Sequence, residues 1–159
     1  MTGVLISFDL ASMLLLSWVF LGGYQVEPGF NIRTHIISAL AVTAFCVFAH
    51  SLTMMYMAAV GRMIRQAVEQ GNLSFQYVLD SKAHRNKVFR SATIAIVMVM
   101  SQTILGGAAH TRMFPVWIHS VLGILTVLVN LYAVYIESRY LILNHMLGHR
   151  AAREFESRR

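Results

Sequence analysis

Four of the chain's seven histidines, His35, His50, His110 and His119, lie inside or at the ends of long apolar runs. A neutral imidazole ligates iron, copper or zinc and changes charge near neutral pH. In an apolar setting it therefore serves as a cofactor ligand, a proton carrier or a cross-helix hydrogen-bonding group. The spacing around these histidines is helical. His119, Gly123, Thr126, Asn130, Ala133 and Glu137 recur at steps of three and four, which places them on one helix face. His35, Ala39, Val42, Cys46, His50 and Thr53 form a second such face, and His110, Gly106, Thr103, Val99 and Ala92 a third. Each is a small, polar stripe on an otherwise apolar rod, facing other helices or a flat ligand. Asp9, with Ser12 on the same side, adds a carboxylate within the first apolar run.

The elements that must position these groups follow from composition. With 57% hydrophobic and 13% charged residues and a mean hydropathy of +0.59, the chain is too apolar for a soluble domain, where charged residues approach a quarter. Four runs, Val4 to Gly23, His35 to Val60, Ser91 to His110 and Pro115 to Glu137, reach the roughly 20 residues that span a hydrocarbon core. The expectation is an all-α integral membrane four-helix bundle forming a single domain over 1–159, with helices at about 4–23, 35–70, 81–110 and 115–147. The first run is not preceded by a basic residue, holds Asp9 and ends in Gly22-Gly23, so it reads as a retained helix rather than a secretion signal.

Pro28-Gly29 marks an outer loop, Thr111 to Pro115 a tight turn, and Gly71-Asn72 a helix stop. Asp80 or Ser81 is the expected cap of the third helix, and Leu73 to Leu79 is apolar enough to lie along the interface. Cys46, the only cysteine, excludes an internal disulfide. The formal charge of +6 is explained by topology rather than by nucleic acid. Arg62, Arg65, Lys82, Arg85, Lys87 and Arg90 flank the middle connection and Arg139, Arg150, Arg153, Arg158 and Arg159 follow the last apolar run, leaving Arg33 and Arg112 on the other side. The positive-inside rule puts both termini in the cytoplasm, with the basic groups facing lipid headgroups. The expected setting is a bacterial cytoplasmic (inner) membrane.

Because the helices alternate in direction, depths compare across them at about 1.5 Å per residue. His35, His110 and His119 fall near the outer end. His50 lies about 24 Å below the top of the second helix, Asn130 about 22 Å below Pro115 and Asp9 about 20 Å below Gly22. The sequence thus predicts an outer histidine cluster and an inner polar node of Asp9, His50 and Asn130. Glu137 is expected at the inner interface, paired with Arg62 or Arg90.

His35 and His50, with 14 residues between them on one helix, resemble the stacked haem-ligand histidines of the di-haem membrane b-type cytochromes. That family is a four-helix membrane bundle that passes electrons between quinones and other carriers. The resemblance implies haem b held by His35 and His119, with His110 as the substitute ligand, and with Gly106, Gly107 and Gly123 making room for the macrocycle. His119 matches an outer ligand, whereas the inner position near Ala133 and Val134 has no histidine, so one outer haem is the expectation and His50 has another task.

The leading functional reading is a small haem b redox subunit that passes electrons near the outer face within a larger membrane complex, with quinone or a partner protein as the other carrier. A non-catalytic structural or assembly subunit with interhelical histidine hydrogen bonds is the alternative. A small proton-coupled transporter using Asp9, His50 and Asn130 is a third. Copper is a minor alternative cofactor: Met54, Met55, Met57, Met98 and Met100 lack a regular ligand spacing and fit lipid contact and gap filling. No phosphate-binding loop, zinc-protease motif or serine nucleophile pattern occurs.

Overall fold

The apolar runs form four helices, α1 (Thr2–Gly23), α2 (Ile32–Gly71), α3 (Gln76–His110) and α4 (Val116–Ser157). The computed structural model describes residues 1–24, 31–111, 113 and 115–158, and no strand occurs among them. The loop at Pro28-Gly29, and Arg112 and Phe114 of the expected turn, lie outside the described residues. All four helices are long and apolar enough to cross a membrane. At 22 residues α1 is about 33 Å long, close to a hydrocarbon thickness, whereas α2 with 40 and α4 with 42 reach about 60 Å.

Neighbouring helices run antiparallel. Ser12 of α1 meets Cys46 of α2, Thr43 of α2 meets Thr103 of α3, and Gln102 of α3 meets His119 of α4. Because the order is up-down-up-down, α2 and α4 are parallel across one diagonal, with His50 beside Glu137 and Gly71 beside Phe155. These two touch along their length, whereas α1 and α3 have no contact of note across the other diagonal among the described residues. The bundle core is therefore the α2–α4 seam, with α1 and α3 closing its two sides.

Three apolar clusters fill that core in layers. Leu16, Val19, Val42, Cys46 and Val99 form the upper one, and Leu5, Met57, Val88 and Leu141 the middle one. Ile64, Val68, Leu73, Val78 and Ala151 form the third, where α2, α3 and α4 continue beyond α1 as a three-helix extension. This lowest cluster changes two expectations. Leu73 and Val78 are buried in it, leaving Phe75 and Leu79 of that segment to face outward, and α3 begins at Gln76, so Asp80 and Ser81 are helix-interior residues rather than caps. Burial of the Leu73–Val78 segment against α2 and α4 outweighs the capping preference of Asp80 and Ser81. The Ser74 hydroxyl instead accepts the Gln76 N–H at 3.3 Å. The same packing, through Ala151 and Phe155, carries α4 to Ser157, ten residues past the expected end.

At the other boundaries local chemistry is sufficient. Asn31 caps α2 by accepting the Arg33 N–H at 2.9 Å, and Asn72 ends it in the left-handed region at φ 48°. Pro115 stands at the cap position just ahead of α4.

The surface inverts the soluble pattern. Leu14, Ile104, Val116 and Leu128 are exposed, while Asp9, His50, Glu137 and Asn144 are buried. Close helix approach in the extension depends on Gly71, where an added Cβ would stand 2.6 Å from the Phe155 ring. Gly71→Val is expected to destabilise the chain by about 1–3 kcal/mol through overpacking. Thermal unfolding in detergent, followed by circular dichroism, checks this, and an unshifted midpoint would contradict the packing described.

Candidate functional site

The inner node is assembled by three helices at one depth. Asp9 comes from α1, His50 and Thr53 from α2, and Asn130 and Glu137 from α4. Asp9, His50 and Glu137 are 0% exposed and Asn130 is 2% exposed. His50 Nδ1 lies 2.9 Å from Glu137 Oε1 and 3.0 Å from Oε2, and Nε2 lies 3.1 Å from Asn130 Oδ1. Asn130 and Glu137 are seven residues apart on one face of α4, about 10 Å along the axis, and the imidazole bridges them.

Donor and acceptor roles follow from this network. The Asn130 Nδ2 donates to the Thr126 carbonyl at 2.8 Å, so its Oδ1 faces His50 as an acceptor. His50 Nε2–H donates to Asn130, and one further proton is shared between Nδ1 and Glu137. The pair is thus neutral as a unit. Asp9 stands apart: its Oδ2 accepts from the Thr53 hydroxyl at 3.3 Å, while Oδ1 is buried with no hydrogen-bond partner among the described residues. An ionised Asp9 leaves the node one negative charge in excess, which costs several kcal/mol away from water, and a proton on Asp9 restores neutrality. One nitrogen or oxygen of each of the three side chains lies within 4.8 Å of the others, so a charge placed on any of them is felt by all.

Glu137 corrects the sequence expectation. It does not sit at an interface with Arg62 or Arg90; it is fully buried and bound to His50. Its place on the face of Asn130, two turns further along, was the available signal. Depth counting obscured it by putting the residue past the end of a minimal span, yet α4 continues for 20 residues beyond it. Thr53, one turn from His50, is the other member that the sequence pattern did not single out as functional.

At the outer level, two of the three expected histidines pack against neighbouring helices. His35 of α2 and His119 of α4 are half-buried. Each imidazole lies over a glycine: an added Cβ would stand 3.1 Å from His35 at Gly23 and 2.8 Å from His119 at Gly106. Nδ1 of both rings is buried without a partner among the described residues, and the Gln102 amide donates to the His119 carbonyl at 3.2 Å. His110 is exposed in the last turn of α3. Gly123 faces Phe20 and Gln102, while Gly107 faces open space. Of the methionines, Met57 is packed in the middle apolar cluster, and Met55 and Met100 are exposed.

Between the two levels the helices carry further polar rungs. Thr43 and Thr103 share a hydrogen bond, the Ser12 hydroxyl donates to the Asp9 carbonyl at 2.8 Å, and the Cys46 thiol points at the Ser12 carbonyl at 3.8 Å. Below the node, Thr2 and Tyr56 are 3.2 Å apart, and Tyr56 lies 3.4 Å from His145. The described cavities, about 210 Å³ beside Asp80 and His84 and about 290 Å³ beside Met54 and Phe89, border neither level.

No protein-family model, curated protein or solved structure matches the chain, so its function rests on the chemistry of the site itself.

Removing one partner of the central pair leaves the other buried and uncompensated. Glu137→Leu is expected to cost about 3–5 kcal/mol, whereas His50→Leu with Glu137→Leu, an apolar replacement of the whole pair, recovers a large part of that loss. Equilibrium unfolding in mixed micelles measures both. A double variant as unstable as the sum of the two single ones would show that the residues do not act as a pair.

Proposed function

We propose that the chain is an integral membrane protein, with both termini on the cytoplasmic side, that moves protons through the axis of its bundle by way of Asp9, His50 and Glu137. One observation carries this reading: three ionisable side chains from three helices are fully buried at one level, and one carboxylate oxygen among them has no hydrogen-bond partner among the described residues. Ionisable groups held inside a membrane segment are costly, and that cost is characteristic of proton pathways.

Two further features support it. On α2 the polar positions Thr43, Cys46, His50, Thr53 and Tyr56 follow one another at steps of three and four, so exchangeable protons line one face from the outer level toward the cytoplasmic extension. The Thr53 hydroxyl, 3.3 Å from Asp9, extends that face to the carboxylate. The orientation is supported by the basic residues gathered at the α2–α3 connection and along the end of α4. In this scheme Asp9 accepts the proton beside the neutral His50–Glu137 pair, Thr53 orients its carboxyl group, and Asn130 fixes the imidazole.

The test is proton uptake into lipid vesicles containing the chain, driven by a potassium diffusion potential and read with an enclosed pH dye. Asp9→Asn and Glu137→Gln are each expected to slow uptake by about tenfold or more, an increase of about 1.4 kcal/mol in the barrier. Flux unchanged in both variants would overturn the proposal.

A second reading is favoured by His35 and His119, which the sequence places at one level. Two imidazoles from different helices, each with a buried Nδ1 that has no partner among the described residues, suit axial ligands of haem b, and the chain would then be a redox subunit working with quinone or a partner subunit. A reduced-minus-oxidised visible spectrum decides this. His35→Ala and His119→Ala should each abolish a low-spin haem signal, and folded, haem-replete protein with no Soret band would remove the reading.

A further inference from the structure

The cytoplasmic end of α4 holds a second histidine pair that neither level of the bundle uses. His145 and His149 are four residues apart, so consecutive turns present them on one face, and both are exposed. Their Nε2 atoms stand 3.2 Å apart, with ring centroids at 4.4 Å and ring planes at 89°. Two nitrogens bound to one ion at about 2.0–2.1 Å, with an angle of about 100° between them, have that same separation. Two histidines at i and i+4 on one helix face are also the arrangement by which helices chelate zinc.

The second nitrogen of His145 is provided for as well. Nδ1 faces the Tyr56 hydroxyl of α2 at 3.4 Å, and that hydroxyl lies 3.2 Å from Thr2 of α1. With Nδ1–H given to Tyr56, the lone pair of His145 is on Nε2, the atom turned toward His149. Histidine ligands are oriented in this way by a partner on the far nitrogen. In the metal-free state a proton on His149 Nε2 occupies the gap, donated to His145.

We infer that His145 and His149 form a surface site for one divalent transition-metal ion of borderline softness, such as zinc, nickel or copper(II), with water completing the coordination sphere and Tyr56 as a positioning residue. The ion takes the place of the proton on His149 Nε2, which passes through solvent to the Nδ1 of the same exposed ring, so that both imidazoles bind as neutral ligands. Through Tyr56 and Thr2 it ties the last turns of α4 to α2 and to the start of α1. The inference does not rest on the proton or haem reading: it uses none of the residues at the node or in the outer pair, and shares only Tyr56 with the polar face of α2.

The experiment is a titration of the full chain in detergent, stripped by chelator, with zinc ion in competition with a chromophoric chelator and with cobalt(II) followed by its visible ligand-field absorption. One equivalent per chain is expected to bind at this site. His145→Ala and His149→Ala should each weaken it at least about tenfold, and Tyr56→Phe by about 10- to 100-fold, with the helical circular dichroism unchanged. Both histidines are exposed, so their loss leaves the fold intact, and the other five histidines remain in every variant as an internal control. Zinc affinity unchanged in His149→Ala would overturn the site. Wild-type affinity in Tyr56→Phe would overturn the positioning role.

Discussion

The hydrogen-bonded pair of His50 and Glu137 is the interaction on which the rest of the structure depends. Neither group can be buried alone, since an uncompensated charge or an unmet donor in an apolar interior costs several kcal/mol. Both are 0% exposed, so α2 and α4 must lie side by side, in parallel, at the one register that brings position 50 to position 137. Asn130 tightens this requirement by holding the other ring nitrogen, and a slip of one turn, about 5.4 Å, breaks both bonds at once. Net stability gained from such a pair is small. Its effect is to exclude other helix registers that apolar packing tolerates.

Apolar layers lie above and below the node and make its geometry stiff. The cluster around Cys46 and Val99 closes the outer side, and that around Met57 and Leu141 the inner side. In this setting a single proton on or off Asp9 changes the net charge of a poorly screened volume, and the three side chains respond as one coupled unit. A bundle with exposed apolar flanks and charges inside reverses the usual distribution. It requires a surrounding medium that solvates Leu14 and Ile104 better than water does.

Length separates two tasks within the same helices. The part of α2, α3 and α4 that packs with α1 carries the buried ionisable groups, while their continuation past α1 forms a separate layer around Ile64, Val68 and Ala151. That continuation anchors the α2–α3 connection. At the start of α1, His145 stands beside Tyr56, three residues along α2 from the node's Thr53.

The sequence by itself determined the four apolar helices, their small and polar stripes, and the shared depth of Asp9, His50 and Asn130. Helical periodicity fixes which residues share a face, and rise per residue fixes how deep they lie. It did not determine which stripes meet. Rotation of each helix about its own axis is set by side chains on other helices, so the bond from His50 to Glu137, the packing of His35 on Gly23 and of His119 on Gly106, and the early start of α3 emerge only once the bundle is assembled. Glu137 shows the reason most directly. Counted along one helix it belongs at an interface with a nearby arginine, but the imidazole two helices away in sequence is the partner that leaves no charge unmatched.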